Sequence, residues 1–186
     1  MKQKYFIQQT HFIGVLLPKD LEETLENCRK YMNRTYGCKS GYGTPVHITL
    51  IPPFYLQEDF STEDLKNGIE EYVLNRQLSF TASIENFNSF GDRTIFANVI
   101  QDENWIKLRD ETLKGIFTAC PGCTRKDKRV FQPHATVANR DIPHGAIPDA
   151  LKVLNELNLI KSFPVDNITI FERKGSRWEA AVILEL

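Results

Sequence analysis

The chain has 186 residues, of which 41% are hydrophobic and 25% charged, and its formal net charge is -1. That balance suits a soluble globular domain with a substantial core. It argues against a protein that coats nucleic acid through bulk electrostatics, while leaving room for a local site that takes one phosphate. No apolar run approaches the ~20 residues of a membrane span. The N-terminal stretch is interrupted by Gln8, Gln9, Thr10 and His11; it reads as a first strand rather than a signal peptide, and the protein is expected in the cytoplasm.

In chain order, residues 4–17 read as a strand. Asp20-Leu21-Glu22-Glu23 resembles a capping box, and Leu21, Leu25, Cys28 and Met32 share one face of the helix that follows. Gly37, Gly41 and Gly43 end it in a loop. A short strand over 46–51 is closed by Pro52-Pro53. Ser61 is placed to cap a helix carrying Leu65, Ile69 and Tyr72. Strands over 79–87 and 94–100 flank a turn at Gly91-Asp92. A helix with Trp105, Leu108, Leu113 and Ile116 follows, then a Cys/Gly/Lys/Arg loop and a strand at 134–138. A last helix carries Leu151, Leu154 and Leu157, and strands at 165–171 and 178–185 end the chain around Gly175-Ser176.

The order repeats. Phe87, Gly91, Arg93, Ala97 and Val99 precede Phe171, Gly175, Arg177, Ala181 and Ile183 by 84 residues, and His47-Ile48-Thr49 precedes His134-Ala135-Thr136 by 87. The pattern predicts an α+β fold: one domain over 1–186 made of two pseudo-symmetric lobes of antiparallel sheet with flanking helices, around a central cleft, with one H-x-T strand from each lobe.

The duplicated H-x-T carries chemistry. Strand side chains alternate, so His47 and Thr49 share a face, ~6.6 Å apart, while Ile48 and Leu50 face a core. His134 and Thr136 do the same. Two such strands related by a dyad set two imidazoles on opposite sides of one phosphate, one as base and one as acid for in-line displacement, with two hydroxyls donating to the non-bridging oxygens. The scheme requires no metal and no cofactor. His11 and His144 lack the following threonine and read as a core histidine and a loop or cap residue.

On His47-Ile48-Thr49-Leu50-Ile51-Pro52-Pro53-Phe54 and Pro133-His134-Ala135-Thr136-Val137-Ala138-Asn139-Arg140, the chain resembles the two-histidine (2H) phosphoesterases, among them the bacterial 2'-5' RNA ligase-like proteins. The resemblance implies a bilobal fold and a phosphodiesterase that opens 2',3'-cyclic phosphate RNA ends to 2'-phosphates, with 2'-5' ligation in some members. It implies His47 and His134 as the acid–base pair and Thr49 and Thr136 as phosphate ligands; we assign His134 as base and His47 as acid, a division that the pseudo-symmetry makes reversible. Many relatives carry an arginine five positions after the second motif histidine. Here that position is Asn139, and Arg140 follows it.

Arg140, Tyr42 and Phe54 are further candidates for substrate contact, the two aromatics by stacking on a base. Arg93 and Arg177 mark equivalent turns or line the cleft, Trp178 reads as core or rim, and the basic run Thr124–Arg129 either steers a polyanion or is solvated. The expected partners are RNA ends or small nucleotide phosphodiesters, bound by a monomer away from any membrane. Competing readings keep the site but change the substrate to a small cyclic nucleotide, an ADP-ribose cyclic phosphate or a 2'-5' oligoadenylate, or make the protein a non-catalytic RNA or nucleotide binder. Cys28, Cys38, Cys120 and Cys123 are expected as incidental reduced thiols, because a zinc site would need a second close pair.

Overall fold

The computed structural model describes residues 8–74, 76–125 and 130–186. Its elements run β1 (His11–Leu16), α1 (Lys19–Tyr36), β2 (His47–Phe54), α2 (Thr62–Val73), β3 (Phe80–Phe90), β4 (Thr94–Val99), α3 (Glu103–Ala119), β5 (His134–Asn139), α4 (Ile147–Asn155), β6 (Ile160–Val165), β7 (Asn167–Lys174) and β8 (Arg177–Glu185). The eight strands make one antiparallel sheet in the order β6-β3-β4-β5-β2-β1-β7-β8. The predicted α+β class and its two lobes are both present. One lobe is β6-β3-β4-β5, the other β2-β1-β7-β8, and they meet where β2 pairs β5 at Ile48 and Ala135.

The lobes are not the two halves of the sequence. The first half gives β1 and β2 to one lobe and β3 and β4 to the other. The hairpins that match in sequence also sit differently: β4 lies inside the sheet between β3 and β5, whereas β8, among the described residues, is an edge strand paired to β7 alone.

Apolar spacing builds one core. Leu21, Leu25, Cys28 and Met32 of α1 are buried as their helical period requires, and so are Trp105, Leu108, Leu113 and Ile116 of α3. Ile13, Ile48, Leu50, Ala135 and Val137 from the central strands join them, each large aliphatic side chain contributing ~1.5–3 kcal/mol on burial. Ser61 caps α2 in a full capping box with Asp64. The expected box at Asp20 does not form. α1 starts earlier, with Pro18 as N-cap, and the Asp20 carboxylate accepts from Leu21 N–H and pairs with Lys161. Gly37 ends α1 in the left-handed conformation, φ 73°.

Three elements differ from expectation. β2 runs on through Pro52-Pro53; past Ile48 its β5 side has no further ladder pair, so the missing proline N–H groups cost nothing there. β6 is an edge strand on β3, masked in the sequence by Pro164 and by the polar or exposed residues that precede its buried Phe163 and Val165. Leu157 lies beyond the end of α4 and is exposed. The expected strand over 4–17 is seen as β1, its first residues lying outside the described part of the chain.

Cys120 and Cys123 correct another expectation. They are joined as a disulfide across a turn in which Cys123 N–H donates to Cys120 O. The tight turn at the end of α3 brings the two sulfurs together. Cys28 and Cys38 are the free, buried thiols.

Candidate active site

The site is built on the β2–β5 seam. Because Ile48 pairs with Ala135 and the strands are antiparallel, His47 comes opposite Thr136, and Thr49 opposite His134, all four on the sheet face away from the buried Ile48 and Ala135. The two histidines are therefore diagonal, and ordinary sheet geometry sets diagonal neighbours roughly 7–8 Å apart. One tetrahedral anion fits between them. A local dyad passes between the middle residues of the two H-x-T motifs.

Each imidazole is oriented from behind. His47 Nδ1 lies 2.7 Å from Pro45 O, and His134 Nδ1 lies 2.8 Å from Gln132 O. A carbonyl only accepts, so Nδ1 carries the proton in both and Nε2 is the free nitrogen of the neutral ring. Burial pushes the His47 imidazole down to about 4; the Pro45 carbonyl opposes this, and the Arg29 guanidinium and His134 reinforce it. Burial also lowers His134, against the pull of Gln132 O. His47 packs against the stacked pair Phe12 and Phe171, at ring distances of 4.7 and 5.1 Å. His134 meets Phe90 edge-on at 4.9 Å.

Two cavities flank the seam and share Thr49. The polar one, about 450 Å³, is lined by His47, Thr136, Arg29, Lys39, Tyr42 and Asn139 among others. The apolar one, about 420 Å³, is lined by His134 with Leu50, Pro52, Phe90, Arg109 and Phe131 among others.

Sequence reasoning missed Arg29. It is only 4% exposed. Its Nε and Nη2 donate to Thr136 O at 3.3 and 3.2 Å, and Nη1 donates to Thr44 O at 2.7 Å and to Glu26 at 3.3 Å. It thus ties α1 and the 38–46 loop to the second motif strand and puts a fixed positive charge beside His47. Asp141 holds that loop from the other side, accepting from the N–H groups of Lys39 and Ser40 at 2.6 and 2.8 Å. The available signal was an arginine four residues after Leu25, inside an apolar helical stripe.

The other candidates separate. Tyr42, 44% exposed, lines the polar cavity. Phe54 is core, stacked on His11. Arg140 stands exposed just past β5 with φ 74°, its N–H on Arg93 O; Asn139, which takes a bond from Thr94, lines the cavity instead. Trp178 forms the rim of the polar cavity against Phe12, and Arg177 packs on Gly43. His11 is buried in β1 and His144 lies in the turn before α4, as expected. Residues 126–129 of the basic run lie outside the described residues. No helix among the described residues is long and apolar enough to cross a membrane.

The family profile described as the 2'-5' RNA ligase superfamily matches residues 17–177. No curated protein matches the chain in sequence. Among solved structures, E. coli LigT in its apo form is 19% identical, with a TM-score of 0.64 over 96% of this chain and 97% of that one. TT0787 of Thermus thermophilus is 19% identical, with a TM-score of 0.62 over 95% and 97%. The PDE domain of MHV ns2 is 13% identical, with a TM-score of 0.54 over 96% and 99%. At these identities the likeness is one of fold.

Proposed function

The chain belongs to the 2'-5' RNA ligase superfamily, and from that premise we propose that it is a metal-independent phosphodiesterase that opens 2',3'-cyclic phosphate ends of RNA to 2'-phosphates. The observation that carries this reading is the Ile48–Ala135 register, which sets each motif histidine beside the other motif's threonine on one face. Water attacks phosphorus and gives its proton to one imidazole. The bond from phosphorus to the 3'-oxygen breaks, and the other imidazole gives that oxygen its proton. Thr49 and Thr136 donate hydrogen bonds to the non-bridging oxygens as charge builds. The same sequence with a 5'-hydroxyl in place of water is the route to 2'-5' ligation.

With its imidazole lowered to about 4 by burial, His47 stays neutral, as a base must, and His134 is left as the acid, the reverse of the division first expected. Nucleotide substrates are further supported by E. coli LigT, which has been solved with 3'-AMP, with ATP and with NADP+.

The test is hydrolysis of an RNA oligonucleotide ending in a 2',3'-cyclic phosphate, with EDTA present, by the wild type and by His47→Ala and His134→Ala. Ring opening to a 2'-phosphate is expected, and each variant should lose ~10²–10⁴-fold, the usual contribution of one general acid or base. An inert wild type, or variants as fast as it, would overturn the proposal. Activity confined to small cyclic nucleotides would keep the chemistry and replace the substrate.

A further inference from the structure

α1 and α3 each precede an H-x-T strand, and each buries an arginine in its apolar stripe. Arg29 of α1 is fully engaged with backbone carbonyls and Glu26. Arg109 of α3 is only 8% exposed, yet it makes no hydrogen bond and no ion pair among the described residues, and its Nε is shut away from solvent without an acceptor. Its guanidinium lies over the Phe131 ring, 5.0 Å from the centroid. A nearly buried cation without an acceptor is a standing cost to the fold. Its counterpart shows that the same kind of position can be fully satisfied by protein groups.

Arg109 lines the apolar cavity, whose other walls include Leu50, Pro52, Phe90 and Phe131 and which reaches His134 and Thr49. A phosphate would be poorly held by those walls. A flat aromatic ring suits them, stacking on phenylalanine and excluding water. To satisfy Arg109 the ring must also present acceptors. The two Nη groups of Arg109, the part of the guanidinium not shut away with Nε, form a planar two-donor edge, which matches two adjacent acceptors and not an acceptor beside a donor. Guanine presents O6 and N7 side by side; adenine presents an amino group beside N7.

We propose that this cavity reads the base of the nucleotide whose phosphate reacts at the seam, and that Arg109 makes it select guanine over adenine. The inference rests on the nucleotide-phosphodiester reading of the site.

The experiment compares kcat/KM for 2',3'-cyclic GMP and 2',3'-cyclic AMP in the wild type, Arg109→Met and Arg109→Lys. A correct two-donor pairing predicts a guanine preference of about 5- to 150-fold in the wild type. That ratio should fall to within about threefold of unity in both variants, because lysine keeps the charge but loses the fork. Arg109→Met, which removes an unpaired charge, should melt no lower than the wild type; Arg109→Lys serves if the methionine variant does not fold. Equal rates on the two substrates, or a preference that survives both substitutions, would overturn the base-reading role while leaving the phosphodiesterase intact. If neither substrate is turned over, calorimetric titration with 3'-GMP and 3'-AMP separates the two failures. Tighter 3'-GMP binding that is lost in the variants keeps the pocket and removes the reaction. Equal binding or none overturns the pocket.

Discussion

Each motif histidine gives its Nδ1 proton to a carbonyl two residues upstream, Pro45 for His47 and Gln132 for His134, yet their surroundings differ. His47 packs against the stacked pair Phe12 and Phe171 and faces the Arg29 charge, and its imidazole falls to about 4; His134 is lowered by burial without a cation among its causes. Under the proposed mechanism this fixes the sign of the pH dependence. The base must be neutral, so activity falls as pH drops through the His47 value. The acid must be protonated, so activity falls as pH rises through the His134 value, which lies below its ordinary 6.5. The kcat/KM profile should be a bell with its maximum between about 4 and 6.5. His47→Ala should erase the acidic limb of the residual activity, and His134→Ala the basic limb. The opposite pairing of limbs and variants would return the base to His134. Bound phosphate raises both imidazoles, so the kcat profile should lie at higher pH than that of kcat/KM. At this scale the motif residues were legible because H-x-T occurs twice at equivalent points. Arg29 and Arg109 were legible only as charges inside the Leu21–Met32 and Trp105–Ile116 stripes, an anomaly that periodicity alone counts as noise.

The elements owe their placement as much to small residues as to large ones. α2 and α3 cross at Gly68 and Gly115. A Cβ on Gly115 would come 2.6 Å from Gly68 O and from the Ile69 Cα, and one on Gly68 would come 2.7 Å from Gly115 O. The obstacles at Gly115 are all backbone, so none can step aside as a side chain would. Gly115→Ala should therefore destabilise the protein by ~1–3 kcal/mol, despite the ~1 kcal/mol by which alanine favours a helix interior over glycine. Urea denaturation of the two proteins checks this; a gain in stability would mean that the helices separate at little cost. The apolar spacing of α1, α2 and α3 made these helices readable in the sequence. β6 was not, since an edge strand needs no second buried face and tolerates Pro164. The C-P-G-C disulfide was not readable either, because spacing does not distinguish a bonded pair from two thiols.

At the scale of the molecule, the repeat was visible, but the route of the chain through it was not. Sequence equivalence pairs the β3–β4 hairpin with β7–β8, whereas the sheet builds each lobe from strands of both halves. A hydrophobic pattern records which face of a strand is buried; it does not record which neighbour the strand pairs with. The exchange has a consequence for folding. In a fragment covering residues 1–101, β1 would lack β7 and β4 would lack β5. In a fragment covering 102–186, β5 would lose both neighbours, β2 and β4, and β6 would lose β3. Neither piece retains a complete lobe, and the α2–α3 crossing would be cut between them. Each fragment alone should therefore give a poorly dispersed amide NMR spectrum and no cooperative melt, while an equimolar mixture should recover dispersion. The motif strands would come from different fragments, so any phosphodiesterase activity should return only in the mixture. A cooperatively folded 1–101 fragment would mean that one half holds a lobe by itself, and the exchanged topology would be wrong.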